Sequence, residues 1–102
     1  MIYSGRATVA AAGTRVALAA TRTMCGWLTI HANAANTGYV YVGDVTVVNN
    51  TGGPKVYIGH PVAKGDWVSF RELGGPAYID LSTIYVDADN NGDKITFNYA
   101  RR

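Results

Sequence analysis

Apolar side chains recur at alternate positions in short runs, and turn-forming clusters interrupt them. Val16 and Leu18, Leu28 and Ile30, Val40 and Val42, Val56 and Ile58, and Val68 and Phe70 all follow this spacing. Alternate residues of a strand face opposite ways, so a period of two predicts strands with one face in a core. Gly52-Gly53-Pro54, Gly74-Gly75-Pro76 and Asn90-Asn91-Gly92 read as turns. The runs between them are rich in Val, Ile, Thr, Tyr, Phe and Trp, whose branched and aromatic side chains pack well on a pleated surface. The pattern predicts strands near 7–12, 14–20, 25–32, 38–42, 45–48, 55–59, 66–72, 79–86 and 94–100. The Ala-rich stretch from Ala7 to Ala20 has helix propensity, but Gly13 and the alternation of Val16, Leu18 and Ala20 favour strand there. Many short strands without strand–helix–strand alternation predict an all-β fold, an antiparallel β-sandwich or barrel, of which the β-sandwich is the expectation.

The expected core is Val16, Leu18, Leu28, Ile30, Val40, Val42, Val56, Ile58, Val68, Phe70, Leu81, Ile84 and Val86. Leu81 and Ile84 differ in parity, so a bulge near Ser82 is needed if both point inward. The chain has 102 residues, enough for one core, so residues 1–102 are expected to form one domain. Ile2 and Tyr3 precede the first predicted strand and suggest a short arm at 1–6.

The positions opposite the core carry Trp27, Tyr39, Tyr41, Tyr57, Trp67 and Tyr85, where a lone sandwich would place polar residues. Tyr and Trp combine large apolar area with a polar tip and are enriched where proteins meet. These six, with Arg71 at the rim of the Trp67 strand, are the expected oligomer or partner interface. Some of them lining the rims of the core is the competing reading. Composition favours the interface. Only 16% of residues are charged, against about 25% in typical soluble domains, so much of the surface is poorly suited to water. A homo-oligomer is the expectation.

Nine Lys and Arg against seven Asp and Glu leave a formal charge of +2, too weak for a dedicated nucleic-acid binder. No apolar run is long enough to predict a membrane span, and no basic segment followed by an apolar run marks an export signal. Synthesis and use without secretion are therefore expected.

Candidate chemistry is sparse. Asp87-Ala88-Asp89-Asn90-Asn91-Gly92-Asp93 opens like a calcium loop, but the twelfth position is Asn98 where a bidentate Glu is needed. A turn between strands explains the same residues. His31 and His60 lie far apart in the chain, and Cys25, the one thiol, begins an apolar strand like an inert buried cysteine. No phosphate-binding loop, dinucleotide fingerprint or zinc-protease helix occurs. The expectation is a protein that is not an enzyme, with no catalytic residue, metal or cofactor. Arg101 and Arg102 read as a solvated terminus.

The stretch from Asn36 to Asp44, the element from Pro61 to Phe70 and the segment from Ile79 to Tyr99 resemble the small β-rich virion proteins of tailed bacteriophages. Gly13-Thr14, Val16, Leu18, Cys25 and Ile30 fit the opening half of that pattern. The resemblance implies a jelly-roll-like capsid decoration or cement protein, trimeric, seated on the major capsid protein, and located on the virion after synthesis in the host cytoplasm. A tail, baseplate or fibre component that touches host glycans is the alternative. The chain departs from the pattern in its longer stretch between Asp44 and Pro61, which suggests an extra hairpin reaching a neighbour.

Overall fold

Main-chain pairing in the computed structural model, which describes residues 2–49, 58–71 and 79–101, builds two antiparallel sheets. The larger runs in the order β1 (Ile2–Thr8), β9 (Lys94–Arg101), β3 (Met24–Ala32) and β6 (Trp67–Arg71), with the short β7 (Ile79–Asp80) also paired to β3. The smaller runs β2 (Val16–Ala17), β8 (Tyr85–Ala88), β4 (Val40–Gly43) and β5 (His60–Val62). With β7 set aside, every connection except β4 to β5 passes from one sheet to the other. The fold is thus all-β, two antiparallel sheets packed face to face.

Burial follows the period of two. Leu28, Ile30 and Ala32 of β3, Ile95 and Phe97 of β9, and Ala7 of β1 meet Val40 and Val42 of β4 and Val86 and Ala88 of β8. Val9, Leu18, Cys25, Val62 and Leu81 complete the buried cluster, and Val16, Val68, Phe70 and Ile84 pack against it. The core members absent from the expected set are Val9, Val62, Ile95 and Phe97, with Cys25 and three alanines. Ala7, Ala32 and Ala88 have little apolar area each, yet they let the two sheets approach. Gly5 serves the same end more sharply. A Cβ on it would stand 2.5 Å from Cζ of Phe97, so only glycine lets that ring lie across β1.

Several expectations change. Residues 2–6 are no arm. Ile2 to Thr8 pair with Ala100 to Lys94 along their whole length, because β9 extends far enough to lie beside all seven, and alternate residues of this edge strand bond to it. The predicted strand at 7–12 therefore starts earlier and ends at Thr8, where Ala12 N–H donates to Asn91 Oδ1 at 2.7 Å and Gly13 turns the chain at φ 92°. The bulge expected near Ser82 is a 3₁₀ turn, Leu81–Thr83, capped by Asp80. It advances the chain so that Leu81 and Ile84 both reach the core. A register shift does occur in β3, between Cys25 and Trp27.

Ile58, expected in the core, is 53% exposed and meets Val48 through an isolated bridge. The strand predicted at 45–48 is replaced by that bridge and a turn in which Asp44 Oδ1 accepts from Thr46 N–H at 2.8 Å, and of the strand predicted at 55–59 only Ile58 and Gly59 are among the described residues. Val56 lies outside the described residues.

Candidate functional site on the open face of the larger sheet

The outer sides of the two sheets differ. On the smaller sheet, Tyr41 and Asp87 face each other across β4 and β8 and point away from the core. Both are nonetheless buried, at 2% and 1% exposure. The segment after β4 folds back over them, with Val47 and Asn49 also buried. Asp87 holds this layer down. Its Oδ1 accepts from Gly13 N–H at 3.0 Å and Ala88 N–H at 2.8 Å, and its Oδ2 accepts from Asn49 N–H at 3.1 Å. Tyr41 donates its hydroxyl to Asp89 Oδ2 at 3.0 Å.

Asp93, also buried, accepts from Thr37 N–H at 3.1 Å and from Gly38 N–H at 3.1 Å. The segment read as a possible calcium loop thus spends Asp87 and Asp93 on backbone N–H groups. Among the described residues no group of three or more His, Cys, Asp or Glu is placed to hold a metal ion.

One expected interface residue changes status here. Tyr41 belongs to the interior of the subunit, because a loop supplies the cover that a partner was expected to supply. Tyr39 is 49% exposed, with its ring centroid 6.4 Å from that of Tyr41. Tyr85 is half-buried on the same side, opposite Ala17 and Gly43. Tyr57 lies outside the described residues.

The larger sheet has no such cover among the described residues. Its outer face forms rows that run across β1, β9, β3 and β6. One row is Ile2, Ala100, Trp27 and Arg71; the next is Ser4, Asn98, Thr29 and Ser69; the third is Arg6, Thr96, His31 and Trp67. Trp67 is 61% exposed and its ring centroid lies 6.4 Å from that of His31. Trp27 is half-buried, and Arg71 opposite it is described by its backbone. In the middle row the hydroxyls of Thr29 and Ser69 are hydrogen-bonded at 2.8 Å. The face therefore combines aromatic rings in its two outer rows with a band of hydroxyl and amide groups between them. Sequence reasoning found the rings and missed the band. The alternation Trp27, Thr29, His31 against Leu28, Ile30 carried that signal.

The remaining candidates are structural. Cys25 is buried, and burial, aided by the Asp80 charge, pushes its thiol above the usual range against a backbone hydrogen bond from Trp27. Asp80 is held below the usual carboxylate range by N–H donors of Ser82 at 3.0 Å and Thr23 at 3.1 Å, with Arg22 nearby as a smaller influence. Arg101, read as solvated, lies with its guanidinium carbon 6.0 Å from the ring centroid of Tyr3, which itself stacks on Tyr99 at 5.5 Å. A cleft of about 300 Å³ is lined by Val42, Gly43, Asp44, Phe70, Ile79, Thr83 and Ile84; its carboxylate, Asp44, accepts from Thr46, and its hydroxyl, Thr83, donates to the Asp80 carbonyl. No helix among the described residues is long and apolar enough to cross a membrane. No family model, curated protein or solved structure matches the chain.

Proposed function

We propose that this chain is a non-enzymatic structural subunit of a tailed-phage virion that works as a homo-oligomer. In this reading it is a trimeric capsid decoration or cement protein on the major capsid protein. The observation that carries it is the apolar skin over the smaller sheet. Val45, Val48 and Ile58 are exposed there, as is Tyr39. Apolar surface left in water by a lone small domain favours association, and burial between copies or against a shell removes it. Closed symmetry gives each copy the same buried patch, and several copies multiply shallow contacts through effective concentration. The strand connectivity supports a jelly roll, since with β7 set aside the chain alternates between sheets at every step but β4 to β5.

Sedimentation at micromolar concentration tests this. The expected species is a trimer of the 10.9 kDa chain, which Ile58→Ser should weaken. A clean 10.9 kDa monomer would remove the basis for self-association. Densitometry of purified particles separates the locations: many copies for a cement protein, few for a tail component, none if the virion reading is wrong.

A second reading, a tail, baseplate or fibre component that contacts host glycans, is favoured by the open face of the larger sheet. Its exposed Trp67 beside hydroxyl and amide side chains is the mixture a sugar site requires.

A further inference from the structure

We infer that the open face of the larger sheet is a binding site for an oligosaccharide bearing acidic groups. This deepens the glycan-contacting reading and rests on it.

The size of the face argues first. Strands about 4.8 Å apart and same-face rows about 7 Å apart make the three rows, with side-chain margins, a patch about 20 Å on a side. That is about 400 Å², half of the roughly 800 Å² each partner contributes to a stable protein interface. The face is too small to hold a second copy alone, yet large enough for a few sugar rings.

Chemistry argues next. Ser, Thr and Asn side chains both donate and accept hydrogen bonds, as sugar hydroxyls do. In the middle row Ser4 and Ser69 are exposed and Asn98 is half-buried, while Thr29 between Asn98 and Ser69 is buried and shares its hydroxyl with Ser69. Trp67, exposed at the β6 edge, supplies an aromatic surface for the apolar side of a sugar ring. Polar groups alone would be fully satisfied by water; the ring adds apolar area to be covered.

Charge decides the class of glycan. Arg6 ends the row that Trp67 begins, and Lys94 follows on β9 opposite Thr8. No carboxylate stands on this face among the described residues of the four strands; the one on the fifth, Asp80 of β7 opposite Met24, spends its Oδ1 on the N–H groups of Thr23 and Ser82. The face is thus complementary to an anion. A single-stranded nucleic acid is the competing anion, but its binders cluster Lys and Arg along the backbone path, and hydroxyl and amide groups outnumber cations here.

The test is a titration of the full chain, followed by tryptophan fluorescence and calorimetry. The probes are oligogalacturonate, a neutral maltooligosaccharide of equal length and single-stranded oligothymidylate. Oligogalacturonate should give saturable binding that weakens with salt, and the neutral sugar should bind at least about tenfold more weakly. Trp67→Ala and Arg6→Ala should each weaken oligogalacturonate about tenfold. Both side chains are exposed, so circular dichroism and melting should stay as in the parent. Absence of saturable binding to oligogalacturonate, equal binding of the neutral sugar, tighter binding of oligothymidylate, or binding unchanged in both variants would each overturn the inference. Sedimentation of the same samples keeps the two readings apart. A monomer that binds oligogalacturonate defeats only the assembly proposal, and an oligomer that does not bind it defeats only this one.

Discussion

Asp87 stands directly across the β4–β8 ladder from Tyr41, and both are buried on the side of the smaller sheet that faces away from the core. A carboxylate there is sustainable because every donor it meets is a backbone N–H that would otherwise be orphaned by the loops it ties. Gly13 and Asn49 come from distant parts of the chain, so Asp87 closes one turn and anchors the cover of the other. The acidic stretch that resembles a metal loop is, on this geometry, a fastening.

Asp87→Ala should therefore be among the most damaging single changes. It leaves buried N–H groups without acceptors, at about 3 kcal/mol in total. For a domain of this size that is a Tm loss of about 10–20 °C by calorimetry. Calcium should not raise the Tm of the parent. A loss below about 3 °C, or a calcium-dependent rise, would contradict the fastening role.

Gly5→Ala is the sharpest packing test. The new Cβ would collide with the Phe97 ring, at 2.5 Å from Cζ, and the ring must leave its place in the core. The expected cost is about 1–3 kcal/mol by denaturant titration. The double variant Gly5→Ala with Phe97→Leu should recover part of it. Additive losses would mean the two positions are not coupled.

Acid should weaken the fold partly through Asp80. Its carboxyl is held below the ordinary value in the folded chain by the N–H groups of Ser82 and Thr23. The unfolded chain then binds the proton more readily. The resulting stability is present above the unfolded value of about 4 and is lost as pH falls through the lowered one. Asp44, lowered chiefly by the Thr46 hydroxyl and then by its N–H, adds a slope of the same sign. Melting curves from pH 6 to pH 2 should fall less steeply for Asp80→Asn than for the parent. Parallel curves would show that Asp80 does not contribute.

Cys25 should be inert in the folded protein. It is buried, and its thiol is raised by burial and by the Asp80 charge. A disulfide reagent at neutral pH should label it only after denaturant is added. Rapid stoichiometric labelling without denaturant would show that β3 opens at that end.

Parity was legible wherever a strand stays in register. Leu28 and Ile30 point in, Trp27 and Trp67 point out, and the all-β class follows from such alternation and its turns. It was not legible where a side chain acts as a cap. Asp80 begins a 3₁₀ turn instead of a bulge, and Asp44 turns the chain out of a predicted strand, because short acidic side chains compete with the ladder for backbone N–H groups. Tyr41 and Trp67 look alike in the sequence, each an aromatic at an outward position, yet one is buried and the other is the most exposed ring of the larger sheet's outer face.

The order of residues alone determined which side chains share a face, because that depends only on the two-residue repeat of an extended chain. Whether a face meets water was decided by tertiary structure. A returning loop, held by Asp87, covers the outer side of the smaller sheet, and none of the described residues does so for the larger one. Cover depends on where distant segments come to lie, and the local alternation of a strand holds no record of that.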